Sequence, residues 1–339
     1  KSLIKEYRKL NQNYEFNFKK LKNKKINIPF QLRPFVATTK PINFKKFINF
    51  DEIDLIFNCK IDTIDEKKNY TLAFTKNDSF SFKAKKIIIS CGGIESVRLV
   101  QNSLKKKKLM NIKNKNLVGK FFMDHPKFDL GYIKYPKKHI INQIELKKKN
   151  NIIFYYGVSL KREFQLRKNL LNTYVRFEKS NNRIYRFLET LNIPILKTFI
   201  SKKNIFRVRI FCEMKPNIKN LITSKKTKTM VKLKLSKIDY DTIKILSNKI
   251  KFFFSFHPKK EKNFISKNFE KQIKNASHHM GGLRFDPNSN LSVVNKNLKV
   301  IGLRNTYICS SAIFPTSGSV NPTMTICALG SRLGDYLTK

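Results

Sequence analysis

Proton transfer near neutral pH is the work histidine does best, so the histidines are the first candidates for chemistry. The chain has five: His125, His139, His257, His278 and His279. His139 and His257 lie beside lysines and read as surface residues. His278 and His279 differ, because Met280-Gly281-Gly282 follows them and lets the backbone turn tightly at that point. Neighbouring residues on an extended segment point to opposite sides, so at most one of the pair faces a given pocket. No carboxylate stands near them at ligand spacing, which argues against a metal site. The spacing leaves two readings open, a general base at the edge of a pocket and an ordinary satisfied histidine.

A second candidate is "SSAIFPTSGSVNPTMTICALG", Ser310 to Gly330. Lysine is abundant elsewhere, yet there is none between Lys299 and Lys339. Asn321 is a good helix cap, Pro322 suits a first helical position, and "TMTICALGSRLGDYL" continues with helical periodicity. A helix N-terminus offers unpaired N–H groups and partial positive charge, which suits an anion or an electron-rich oxygen. The small, neutral text before it suits a loop pressed against something flat and buried. An ordinary core loop with a capped helix explains the same text.

The elements that must position these residues can be read from periodicity. "IDLIFNCKIDTIDEKKNYTLAFTKNDSFSFKAKKIIISCGG" reads as a succession of strands broken by turns at "DEKKN" and "TKNDS". "KKIIIS" is the short continuous apolar run of a strand buried on both faces. It ends at Gly92-Gly93, and "IESVRLVQNS" then has helical periodicity, giving a strand–Gly–helix junction. Residues 127 to about 270 mix lysine-studded strands ("FDLGYIKY", "NNIIFYYGVSL", "FRVRIFCEM", "TMVKLKL") with helical text such as "DYDTIKILSNKIKFFFSF". This reads as a second, α+β lobe. The first 45 or so residues read as a basic helix-like stretch, then an extended segment with three prolines.

With 339 residues, 41% of them hydrophobic, the chain has ample material for one large or two ordinary domains. The formal net charge of +48 arises from 71 Lys+Arg against 23 Asp+Glu. The lysines are scattered instead of forming one stripe and Arg is a minority, so the excess reads as compositional drift and not as a specific nucleic-acid interface. Five widely spaced cysteines without a CxxC fit a reducing compartment, here expected to be the cytoplasm. No 18-residue apolar run predicts a membrane span. The chain begins without Met and mid-pattern, and it is expected to be a piece of a longer protein.

Taken in order, these segments resemble the glucose-methanol-choline (GMC) family of flavin-dependent oxidoreductases, from the middle of the family to its C-terminus. "AKKIIISCGGIESVRLVQNS" resembles the family's strand–Gly–helix signature, and "LVGKFFMDHP" its "GxxxxDHP" segment. "SHHMGGLRF" resembles the "HxxG" catalytic-histidine segment, and the text from Val300 to Leu337 the closing segment along the flavin. "CEMKPNIKN" is more weakly similar to an "EQxPN" stretch. The resemblance implies a fold of α/β and α+β parts: an incomplete Rossmann-like, GMC-type FAD-binding domain with an inserted substrate-binding lobe on an antiparallel sheet. The FAD-binding parts are then 1–126 and 275–339, and the substrate lobe is 127–274. The resemblance further implies an FAD-dependent oxidoreductase acting on the CH–OH group of a small-molecule alcohol, sugar or polyol, with an unspecified electron acceptor. His278 takes the general-base role and Asn321 the adjacent hydrogen-bonding role, the two side by side. Gly92, Gly93, Glu95, Ser310, Ser311, Ala312, Pro322 and Thr323 are implied cofactor contacts, no metal is implied, and His125 reads as structural.

One departure keeps alternatives open. No G-x-G-x-x-G exists in the chain, so the pyrophosphate-cradling turn is expected upstream of Lys1 or missing. A relative that binds no cofactor is therefore a competing expectation, and a basic nucleic-acid-binding protein a more distant one.

Overall fold

The computed structural model describes residues 30–38, 49–76, 79–134, 146–149, 152–179, 205–225, 228–254, 257–258 and 276–339. The basic stretch before residue 30 and His139 lie outside the described residues, as does the side chain of His257. The chain divides into two compact units. One takes 1–48, 126–212 and 237–274, and the other takes 49–125, 213–236 and 275–339.

The first unit is built on a seven-stranded sheet whose path runs Phe30–Thr38, Ile152–Leu160, Tyr174–Lys179, Ile205–Phe211, Lys127–Lys134 and His257–Pro258, with Lys147–Lys149 paired beside Ile152–Leu160. Every pairing in it is antiparallel. Period-2 alternation decides which face is buried. Phe206, Val208 and Ile210 are buried, while Arg207 and Arg209 between them point to the other face. There Arg209 Nε donates to Asp129 at 3.0 Å, Arg176 pairs with Glu178 at 3.0 Å, and Arg207 also holds Glu178. Helix Lys237–Phe254 belongs to the same unit and buries Thr242, Ile243, Leu246, Ser247 and Ile250, the stripe a 3.6-residue period dictates. The unit thus includes strand Phe30–Thr38, paired from Phe30↔Leu160 to Thr38↔Ile152, which precedes the 127–274 span expected for the lobe. It leaves out 213–236.

The second unit carries the candidate residues. Strands Ile61–Glu66, Thr71–Thr75 and Ser81–Ala84 form an antiparallel sheet, with a turn where "DEKKN" predicts it, while residues 77–78 of "TKNDS" lie outside the described residues. The next strand, Ile87–Ile89, pairs in parallel with Thr306–Ile308. Ile89 is 2% exposed but Ile88 is 46% exposed, so the expected burial on both faces is not met among the described residues. Among the described residues Thr306–Ile308 is this strand's one partner strand. A second correction concerns residues 53–60, expected as a strand. They form none, and Ile53, Leu55, Ile56 and Phe57 are exposed. Alternation alone does not make a strand without a neighbour to take its N–H and C=O groups.

Helix Gly92–Lys105 follows the Gly pair as the sequence predicts. It buries Ser96, Val97, Leu99, Val100 and Ser103 and docks on strand Ile61–Glu66, where Ser103 Oγ accepts the Ile64 N–H at 2.8 Å. Arg98 lies between Glu95 (2.6 Å) and Asp62 (2.8 Å). The closing helix runs Thr323–Thr338. Its start falls one residue later than the cap on Asn321 implies, because Pro322 is the cap residue and no side chain caps it. Leu333 is its buried residue.

Candidate active site

Three extended segments meet around the HHMGG turn. Met123 and Met280 exchange both backbone hydrogen bonds, at 2.8 and 2.9 Å. On the other side the 279–285 segment is laced to the Ser310 loop. Ser311 Oγ donates to the His279 carbonyl at 2.6 Å, and Gly281, Leu283 and Phe285 donate to Ser311, Ala312 and Ile313 at 3.1, 2.9 and 2.7 Å. Gly281 is required here: its φ is +80°, and a Cβ would stand 2.2 Å from the Phe121 carbonyl oxygen.

That lacing sets the two histidines apart. The His278 ring meets His125 edge-on, with planes at 84°, and its Nδ1 lies 3.1 Å from His125 Nδ1. The His279 ring instead lies against Phe122, with centroids 5.9 Å apart. His125 is 2% exposed, and its Nε2 is 2.9 Å from the Ser317 carbonyl oxygen. Burial holds its pKa below the usual histidine value, opposed by the carbonyl of Ser317 and the charge of Asp124. Asp124, also buried, accepts from the backbone N–H groups of His125 (2.7 Å), His278 (3.0 Å) and Ala276 (3.3 Å). One carboxylate therefore fixes the main chain on both sides of the ring contact.

The remaining predicted residues fall into two groups. Gly93, Ser310, Ser311 and Ala312 gather round the HHMGG segment. Gly93 is buried so close that a Cβ would lie 2.2 Å from the His279 carbonyl oxygen. Ser310 Oγ accepts from the Ala312 N–H at 3.3 Å and caps the short helix Ser311–Ile313. Gly92 is exposed at the helix start, with open space where its Cβ would be. Glu95 has a structural partner, Arg98, with Lys60 at 3.8 Å.

Asn321, Pro322 and Thr323 belong to a different neighbourhood. Asn321 is exposed and Pro322 buried, and both line a cavity of about 400 Å³ walled by Phe285, Ile313, Phe314 and Leu329. His278 is not one of its walls. It connects to this loop through His125 at Ser317, four residues short of Asn321. Thr323 opens the closing helix, and the intrahelical ladder begins with Ile326 N–H to Pro322 O at 3.0 Å, leaving the first-turn N–H groups without intrahelical partners.

Sequence reasoning missed Asp124 and Ser317 as members of this cluster and read His125 as structural. The available signal was the Asp-His-Pro run itself, a carboxylate beside a histidine. Among the described residues no group of three His, Cys, Asp or Glu could hold a metal ion, and no helix is long and apolar enough to cross a membrane.

Residues 228–330 match the family model described as GMC oxidoreductase. No curated protein matches the chain. An FAD-dependent oxidoreductase from Chaetomium thermophilum is structurally similar, with a TM-score of 0.50 and 12% identity over 82% of this chain and 60% of that one. An Aspergillus oryzae RIB40 formate oxidase (0.48, 14%, 82% and 59%) and a pyridoxine 4-oxidase from Mesorbium loti (0.49, 10%, 82% and 56%) also align. At these identities the first likeness is one of fold. The chain spans at most 60% of the length of these three structures.

Proposed function

We propose that this chain belongs to an FAD-dependent oxidoreductase acting on the CH–OH group of an alcohol, sugar or polyol, with His278 as the general base. The observation that carries the reading is the held His278: its backbone is tied to Asp124 and its ring is set against a buried histidine, within the span of the GMC match.

The residues present fit part of an FAD site. Gly92 leaves its helix start open, Gly93 brings the helix against the His279 carbonyl, and the first-turn N–H groups of the closing helix are uncapped by any side chain. Gly92, Gly93, Ser310, Ser311, Ala312, Pro322 and Thr323 are the residues that would hold the cofactor, with Glu95 tied up by Arg98. Bound there, FAD would supply the hydride acceptor for the substrate carbon. His278 takes the hydroxyl proton. The helix dipole at Thr323 favours negative charge beside it. The antiparallel-sheet unit would serve as the substrate lobe.

The test is anaerobic flavin reduction by substrate in the complete protein. His278→Ala is expected to slow it by roughly 10²–10⁴, the usual worth of a general base. An unchanged rate would refute the assignment. The competing reading is a relative that binds no cofactor. A flavin absorption spectrum on the purified protein would exclude it.

A further inference from the structure

His125 has a partner within hydrogen-bond distance of each ring nitrogen. Ser317 O, 2.9 Å from Nε2, can only accept, so His125 Nε2 must carry a proton. A neutral imidazole has one N–H, and burial at 2% exposure disfavours adding a second. His125 Nδ1 then presents a lone pair to His278 Nδ1 at 3.1 Å. That contact is a hydrogen bond only if His278 supplies the proton. Asp124 anchors the backbone N–H of both residues, so the two rings are held to this meeting by main chain on each side.

We propose that His125 is a positioning residue that holds His278 in its Nδ1–H tautomer and so places the ring's lone pair on Nε2, the atom that accepts the substrate proton. Free histidine favours the opposite tautomer, with the proton on Nε2, so the chain Ser317 O, His125, His278 inverts the default. The orientation of the base is set by the hydrogen bond its other nitrogen makes. The positioning role rests on the reading of His278 as base. The tautomer itself does not, because it follows from an acceptor-only carbonyl and one neutral ring.

The experiment is long-range proton–nitrogen NMR of the complete protein labelled with ¹⁵N-histidine, at about pH 7.5 where unperturbed histidine is neutral. Ring signals are assigned by single His→Gln changes at His139, His257 and His279. The expected spectrum has His125 protonated on Nε2 and His278 on Nδ1. His278 protonated on Nε2, a mixture of its tautomers, or a doubly protonated His125 would overturn the proposal. Two variants sharpen it. His125→Asn keeps an acceptor near the former Nδ1, whereas His125→Gln keeps a donor for Ser317 and loses that acceptor. His278 is expected to remain Nδ1–H in the Asn variant and become mixed in the Gln variant, with flavin reduction slowed by roughly 10–10³ in the latter only. An unchanged tautomer in a folded Gln variant would overturn the relay. Should neither variant fold, the wild-type spectrum decides alone. Correct tautomers with a dispensable His278 would instead refute the base reading and the positioning role with it, while wrong tautomers with an essential His278 would end the relay alone.

Discussion

A single methyl group on Gly93 tests whether the HHMGG segment sits where its chemistry requires. The added Cβ would stand 2.2 Å from the His279 carbonyl oxygen, 2.7 Å from its carbonyl carbon and 2.9 Å from its Cβ. Ordinary contact begins near 3.4 Å, so backbone must retreat by about 1 Å, and overpacking of that kind costs about 1–3 kcal/mol. The segment cannot retreat freely, because Ser311 holds the same carbonyl at 2.6 Å and Met123 brackets Met280. Alanine also gains about 0.5–1 kcal/mol over glycine in a helix, which masks part of the clash. Gly334 in the closing helix supplies the control, since a Cβ there meets nothing within 4 Å. Both sites lie in the same compact unit and share the helix term, so their difference isolates the clash at about 1–3 kcal/mol. The chain has no Trp, so urea unfolding followed by far-UV circular dichroism is the assay. Gly93→Ala should unfold at lower urea than Gly334→Ala. Indistinguishable midpoints would refute the packing described around His279.

Other outcomes follow from the same geometry. Asp124→Ala strips acceptors from three backbone N–H groups and is expected to cost about 2–4 kcal/mol, with Asp124→Asn recovering part of it through Oδ1, by the same urea assay. Arg98→Met removes the guanidinium from Glu95 and Asp62. With the Arg98 side chain 11% exposed, the loss should be about 1–2 kcal/mol, above the value of a surface pair, whose median is near 0–1. Because burial lowers the pKa of His125, the unfolded state binds its proton more readily. The stability this histidine contributes is thus complete above the ordinary value near 6.5 and drains as pH falls toward the folded value. Asp124 and the His278 ring face it and moderate the effect. His125→Gln should flatten the slope of unfolding free energy against pH below about 6.5.

Local chemistry was legible in the sequence, and long-range chemistry was not. The Gly92-Gly93 pair announced the helix that follows, and Pro322 marked the closing helix to within one residue. The turn at 67–70 was readable from a polar run. Each of these is decided by a few adjacent residues. Strand Phe30–Thr38 was legible only as an extended segment, because pairing with Ile152–Leu160 is set by a partner more than a hundred residues away. Residues 53–60 alternate like a strand and yet stay exposed. The His125 to His278 contact spans 153 residues, and no periodicity encodes it. What the sequence did show was that Met280-Gly281-Gly282 allows a tight turn. What it could not show was that Gly281 is pressed on the Phe121 carbonyl and that Asp124 ties the two segments together.

That 153-residue separation also has a temporal consequence. At a synthesis rate of about 5–20 residues per second, roughly 8–30 s pass between the emergence of His125 and the arrival of His278. During that interval Phe122 and Met123, later 2% and 0% exposed, have no Met280 backbone to pair with. The nascent chain must therefore carry an apolar, half-paired edge for many seconds, and any need for chaperones is expected to concentrate there.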